Sequence, residues 1–154
     1  MKKFTFSLKM SAYFALCVIF LSFSAEGPIE EEAAYVQQKL TDHYNPVNIK
    51  KYELHITEKG FCRYKRFFNN GKVEYFSCNL LKFKNLDYLG NTQSGVLMLR
   101  TKGEDVIVQT YNDSRGNDID SMATFMAIPL KNLEAEDLID LSGKFEQMSQ
   151  KLRQ

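Results

Sequence analysis

Lys50 to Phe83 reads KKYELHITEKGFCRYKRFFNNGKVEYFSCNLLKF. It alternates in character along its length and is broken by two glycine-containing turns, the pattern of consecutive antiparallel strands. If each turn is a three-residue loop with its glycine in the left-handed position, Thr57 faces Phe61 across Glu58-Lys59-Gly60. By the same rule Phe68 faces Lys72 across Asn69-Asn70-Gly71. The registers follow. Cys62 faces Cys78 on one side and Ile56 on the other, Tyr64 lies between Leu54 and Phe76, and Arg66 faces Glu74. One face then carries Leu54, Ile56, Cys62, Tyr64, Phe76 and Cys78. The other carries Glu53, His55, Arg63, Lys65, Tyr75 and Ser77 and is mostly polar. A two-residue Asn70-Gly71 turn would put the two cysteines on opposite faces, since a one-residue slip inverts a strand. The register with one coherent apolar face is the one expected.

Cysteines directly opposite on neighbouring strands lie within reach of disulfide geometry. A Cys62–Cys78 bond is therefore expected, although the pair falls at a hydrogen-bonded position of the ladder. A redox or zinc role is not expected, because no CxxC occurs and zinc needs clustered ligands.

Upstream, PIEEEAAYVQQKLTDHYNP (28–46) predicts a helix. Pro28 suits its first position, and Glu30 to Glu32 complement its dipole. Ile29, Ala33, Val36 and Leu40 make one apolar stripe, and Asn45-Pro46 ends the helix. Before it, Lys2, Lys3 and Lys9 precede a run of 16 uncharged residues, Met10 to Ala25. A basic start, an apolar stretch and small residues at its end predict a secretory signal peptide, residues 1–24, cleaved after Ser24. The run is shorter than the roughly 20 residues that span a bilayer, so no stable membrane anchor is expected after cleavage. Cys17 lies mid-run, where a lipidated cysteine would not. The mature domain, residues 25–154, is expected to be exported, periplasmic or secreted.

Downstream, FKNLDYLGNTQSG (83–95) is irregular and reads as a connection. GVLMLRTKGEDVIVQTYN (95–112) reads as a hairpin about Lys102-Gly103, with Leu99 facing Val106 and Leu97 facing Val108. NDSRGNDIDS (112–121) reads as a polar loop. MATFMAIPL (122–130) reads as a strand with Pro129 at an edge or exit. A last helix is expected from a cap at Asn132, with Leu138, Leu141, Phe145, Met148 and Leu152 as its stripe.

The expected class is α+β: one antiparallel β-meander sheet of about six strands, with an N-terminal helix and a long C-terminal helix. In element order this resembles the pleckstrin-homology-like partial barrel, a likeness that transfers no function.

Composition narrows the function little. The 154 residues are 44% hydrophobic and 25% charged, which fits one ordinary domain. The formal charge is +1, and loss of the three leader lysines lowers it to −2. Neither value suggests a nucleic-acid partner. The interleaved aromatics and cations of FCRYKRFF follow from strand period, with Tyr64 inward and Arg63 and Lys65 outward. No catalytic motif is present, and His43 and His55 have no metal spacing. Asp113, Asn117, Asp118 and Asp120 offer hard oxygens for calcium, but not in an EF-hand spacing. Asn112-Asp113-Ser114 is a glycosylation sequon if the source is eukaryotic. The expectation is a non-catalytic binding or interaction module without a cofactor, for a protein or a small apolar ligand. The alternatives are an envelope hydrolase, with Tyr111, Asp118, Asp120 and His55 as candidates, and a structural or assembly factor of the envelope.

Overall fold

The computed structural model describes residues 29–114, 116 and 118–154. The expected signal peptide and Asn117 lie outside them. The chain runs α1 (Glu30–Asp42), β1 (Ile49–Ile56), β2 (Phe61–Phe68), β3 (Val73–Asn79) and a short 3-10 turn (Leu80–Lys82). It continues through β4 (Phe83–Gly90), β5 (Ser94–Thr101), β6 (Val106–Tyr111), β7 (Ile119–Ala123), β8 (Phe125–Lys131) and α2 (Ala135–Lys151). This is an α+β fold with a helix at either end of an antiparallel β region. None of the described helices is long and apolar enough to cross a membrane.

The meander β1–β2–β3 forms in the coherent register. Cys62 pairs with Ile56 and Cys78, Tyr64 with Leu54 and Phe76, and Arg66 with Glu74. Gly60 and Gly71 have φ of 76° and 88°, the left-handed geometry that closes three-residue loops. Leu54, Ile56, Cys62, Tyr64 and Cys78 are buried, and Glu53, His55 and Arg63 are exposed. Ser77 departs from the pattern, being buried on the outward face.

Beyond β3 the pairing differs from expectation. Among the described residues eight strands divide into a five-stranded sheet, β1-β2-β3-β6-β7, and a three-stranded sheet, β4-β5-β8. The 95–112 hairpin does not form. Leu99 pairs with Leu86 and Met126, and Val106 pairs with Ala123. Leu97, Met98 and Leu99 are consecutive buried residues, so both faces of β5 are covered there, and β5 is the central strand of its sheet, with a neighbour on each edge. The segment read as a connection supplies one of these, β4. The segment read as one strand after Met122 breaks at Thr124 into β7 and β8, one in each sheet. Part of the supposed polar loop is β7. Beyond β3 consecutive strands pair only as β4–β5 and β6–β7, and the two-meander order behind the pleckstrin-homology-like likeness is not the one formed.

The chain changes sheets at the 3-10 turn, at residues 102–105 and again at Thr124, and the last two crossings are tied together. The Thr101 N–H donates to Thr124 O at 2.9 Å. The buried Thr101 Oγ1 lies 2.7 Å from Gly103 O and 3.2 Å from Thr124 O. Pro129 does sit on an edge strand, β8. That edge is covered by the segment after α1: Asn45 N–H donates to Pro129 O and Lys131 N–H to His43 O.

Both helices bury the predicted stripes. Ile29, Ala33, Val36 and Leu40 of α1 meet Leu141, Phe145 and Met148 of α2 and the inner faces of both sheets in one core. Phe145 stacks on Phe83 with centroids 5.7 Å apart. The start of α2 differs from expectation. Asn132 takes a left-handed φ of 52°, and Glu134 is the cap instead, in a reciprocal box with Asp137.

The expected disulfide is a correction. Cys62 and Cys78 face each other and are buried, but both are free thiols. Phe68 N–H donates to Lys72 O and Leu80 N–H to Gly60 O, so every second pair between them, including 62/78, is a hydrogen-bonded pair. Side chains lie farther apart there than at the alternate positions. The thiols hydrogen-bond instead. That contact, then burial, pushes the Cys62 thiol well above its ordinary pKa.

Candidate functional site

A polar chain enters the core from one end of the five-stranded sheet. Tyr44, just beyond α1, and Tyr64 of β2 join their hydroxyls at 2.7 Å in a buried contact. Tyr52 stacks on Tyr44, and Tyr64 on Phe76. Arg66, two residues on from Tyr64 and on the same face, lies over the Tyr64, Phe68 and Phe76 rings. Its charge is matched by Glu74, its cross-strand partner. Glu74 also holds Lys72 at 2.9 Å, and Lys72 reaches Asp113 at 3.1 Å. Burial is the main cause that pushes both tyrosine hydroxyls above their ordinary pKa. These groups hold their protons at neutral pH, as does Cys62. A nucleophile needs the opposite: a lowered pKa or an adjacent base.

The residues nominated from sequence are spread apart. His55 is on β1 and Asp120 on β7, the two edges of the five-stranded sheet. Four strand spacings separate them, roughly 19 Å. His55 Nδ1 lies 3.2 Å from Gln37 Oε1, and Asp120 lies 3.5 Å from Gln109 Nε2. Tyr111 is exposed on β6, and Asp118 precedes β7. Among the described residues no group of three or more His, Cys, Asp or Glu side chains is placed to hold a metal ion. Asp113, of the calcium set, is engaged by Lys72. On β2, Tyr64 points inward as expected. Arg63 and Lys65 point outward with Phe61 and Phe67 and lie over those rings at 5.7 and 5.0 Å.

Two of the clefts among the described residues lie against a helix. The larger, about 430 Å³, lies between α1 and the β1–β2 turn. Its polar centre is already satisfied, because Gln37 Oε1 accepts from Ile56 N–H at 3.0 Å and meets His55. The smaller, about 270 Å³, lies between the start of β4 and the C-terminal half of α2. Lys84, Lys102 and Arg153 line it, against one acid, Glu146. None of the three cations has a carboxylate within ion-pair distance among the described residues. Arg153 is nevertheless held: Nη2 donates to Ser149 Oγ at 2.9 Å and to Leu81 O at 3.4 Å. Ser149 is buried, which fixes this anchor. Nε and Nη1 are left without a protein acceptor among the described residues. Asn85, also in the lining, gives its Nδ2 to Asp87 at 2.8 Å and keeps a buried Oδ1 with no partner.

Sequence reading did not find this cleft. Lys84 and Lys102 are 18 residues apart in segments read as a connection and a hairpin turn. Their neighbourhood depends on Phe83 pairing with Thr101, which brings β4 beside β5. In the sequence Arg153 reads only as a cation at the end of the last helix.

Compared with known proteins, the chain matches no family model, no curated protein and no solved structure.

Proposed function

We propose that the chain is an exported, non-catalytic binding module whose ligand seats in the cleft between β4 and α2. The observation that carries this reading is the contrast between two sets of ionisable groups. In the Arg66–Glu74–Lys72–Asp113 chain the semi-buried charges are matched, and the buried hydroxyls and thiol stay protonated. In this cleft three cations face one acid, and a held arginine keeps free donors. Uncompensated, positioned charge in a concave site supports ligand recognition more than fold stability. A polar cleft also favours a polar ligand over the apolar one suggested by the amphipathic elements, whose apolar faces pack on each other. The hydrolase reading draws no support from His55 and Asp120, which stand at opposite sheet edges. Export rests on the leader at residues 1–24.

Native mass spectrometry of the exported protein tests the reading. A mature chain beginning at Ala25, carrying extra mass that leaves on denaturation, is expected. A chain that keeps its leader, or a bare chain to which no member of a polar metabolite panel adds mass, refutes it. Alkylation without reduction reads the state of the two thiols.

A further inference from the structure

We infer that the cleft between β4 and α2 takes a small phosphate monoester bearing a hydroxyl group. This deepens the binding-module reading and rests on it. The charge count selects the class. Lys84, Lys102 and Arg153 against Glu146 leave the cleft two positive charges in excess. A phosphate monoester carries about −1.5 to −2 at neutral pH and cancels that excess in one compact group, which a carboxylate does not. Arg153 supplies the directional part. With Nη2 bound to Ser149 Oγ and Leu81 O, its plane is set, and Nε and Nη1 remain for two phosphate oxygens. Lys84 and Lys102 add point charges from β4 and from the crossing after β5.

The rest of the lining suits a hydroxylated body. Ser142 and Gln150 line the cleft and offer donors and acceptors to ligand hydroxyls. At about 270 Å³ the cleft falls just below the range of drug-sized pockets, roughly 300–1,000 Å³, so the body is small.

The test titrates glycerol 3-phosphate into the mature protein at low ionic strength, followed by amide chemical shifts. Glycerol and inorganic phosphate serve as comparison probes. Saturable binding of glycerol 3-phosphate is expected, with the largest shifts at Lys84, Lys102 and residues 149–153. Lys84→Gln and Lys102→Gln should each weaken it roughly tenfold. Arg153→Gln should weaken it more, since it removes the positioned donors. All three positions are exposed, so the variants should melt with the parent. Binding should also weaken as pH falls below about 6, where the ester loses its second charge. No saturable binding, or binding unchanged in the triple variant, overturns the inference. Equal affinity for inorganic phosphate overturns the hydroxylated body. A bound ligand without phosphate, found on the native protein and mapped to this cleft, overturns the phosphate class and leaves the binding-module reading standing. A ligand mapped elsewhere overturns both.

Discussion

Gly60→Ala tests how α2 is seated on the first hairpin. Gly60 has a φ of 76°, and a Cβ there falls well inside van der Waals contact with Leu152 Cδ1, at the end of α2. Two separate costs follow. The left-handed backbone costs an alanine about 1 kcal/mol. The methyl also displaces the Leu152 side chain. That side chain is only half-buried and able to rotate away, so the loss is its packing rather than a rigid clash, again about 1 kcal/mol. The total is about 2 kcal/mol, or roughly 6–10 °C in Tm for a domain of this size. Only the second part depends on Leu152. In a Leu152→Ala background the glycine substitution should therefore cost about 1 kcal/mol, a coupling of about 1 kcal/mol. Urea denaturation of the four proteins in the cycle measures it. If Gly60→Ala costs the same with and without Leu152, the end of α2 does not rest on the β1–β2 turn. If it costs under about 0.5 kcal/mol, the left-handed turn is wrong as well.

Tyr64→Phe should cost about 1–3 kcal/mol in urea melts, because it leaves the buried Tyr44 hydroxyl without its partner. Tyr44→Phe/Tyr64→Phe together should cost less than the sum of the two single changes, and simple additivity would argue against the pair. The same pair sets an alkaline limit. Both hydroxyls have folded pKa values raised above the unfolded value near 10, so their contribution is complete below pH 10 and is lost as pH rises toward the folded values. Stability measured from pH 9 to 11 should fall above pH 10, and more steeply than in the double phenylalanine variant. Glu74→Gln should cost about 1–3 kcal/mol, since it strips the partly buried Arg66 of its counter-charge and leaves Lys72 only Asp113. An unchanged urea midpoint would mean that solvent already screens the pair.

Local periodicity and turn chemistry account for the first half of the fold. The stripe Ile29-Ala33-Val36-Leu40 is buried as a helix of period 3.6 requires. Gly60 and Gly71 close their loops in the left-handed region, and those two turns set the β1–β2–β3 register from Lys51 onward, down to Cys62 opposite Cys78 and Arg66 opposite Glu74; only at Ile49 does the β1–β2 pairing slip. Such features are legible because each partner lies within a few residues of the turn that pairs it. The same locality misled beyond β3. Around Lys102-Gly103 a hairpin satisfies every local rule, yet β5, buried on both faces at Leu97 to Leu99, pairs with β4 and β8 instead. The free edge of β3 takes β6. That choice is a competition between strand edges distant in the chain, and it is won by total apolar burial. The start of α2 moved for a related reason: the Glu134–Asp137 box caps the helix once Leu133, Leu141 and Phe145 fix its position on the core. The candidate cleft depends on these tertiary outcomes. Lys84, Lys102 and Arg153 share no motif, spacing or periodicity, and they meet only because β4 pairs with β5 and α2 packs across the start of β4.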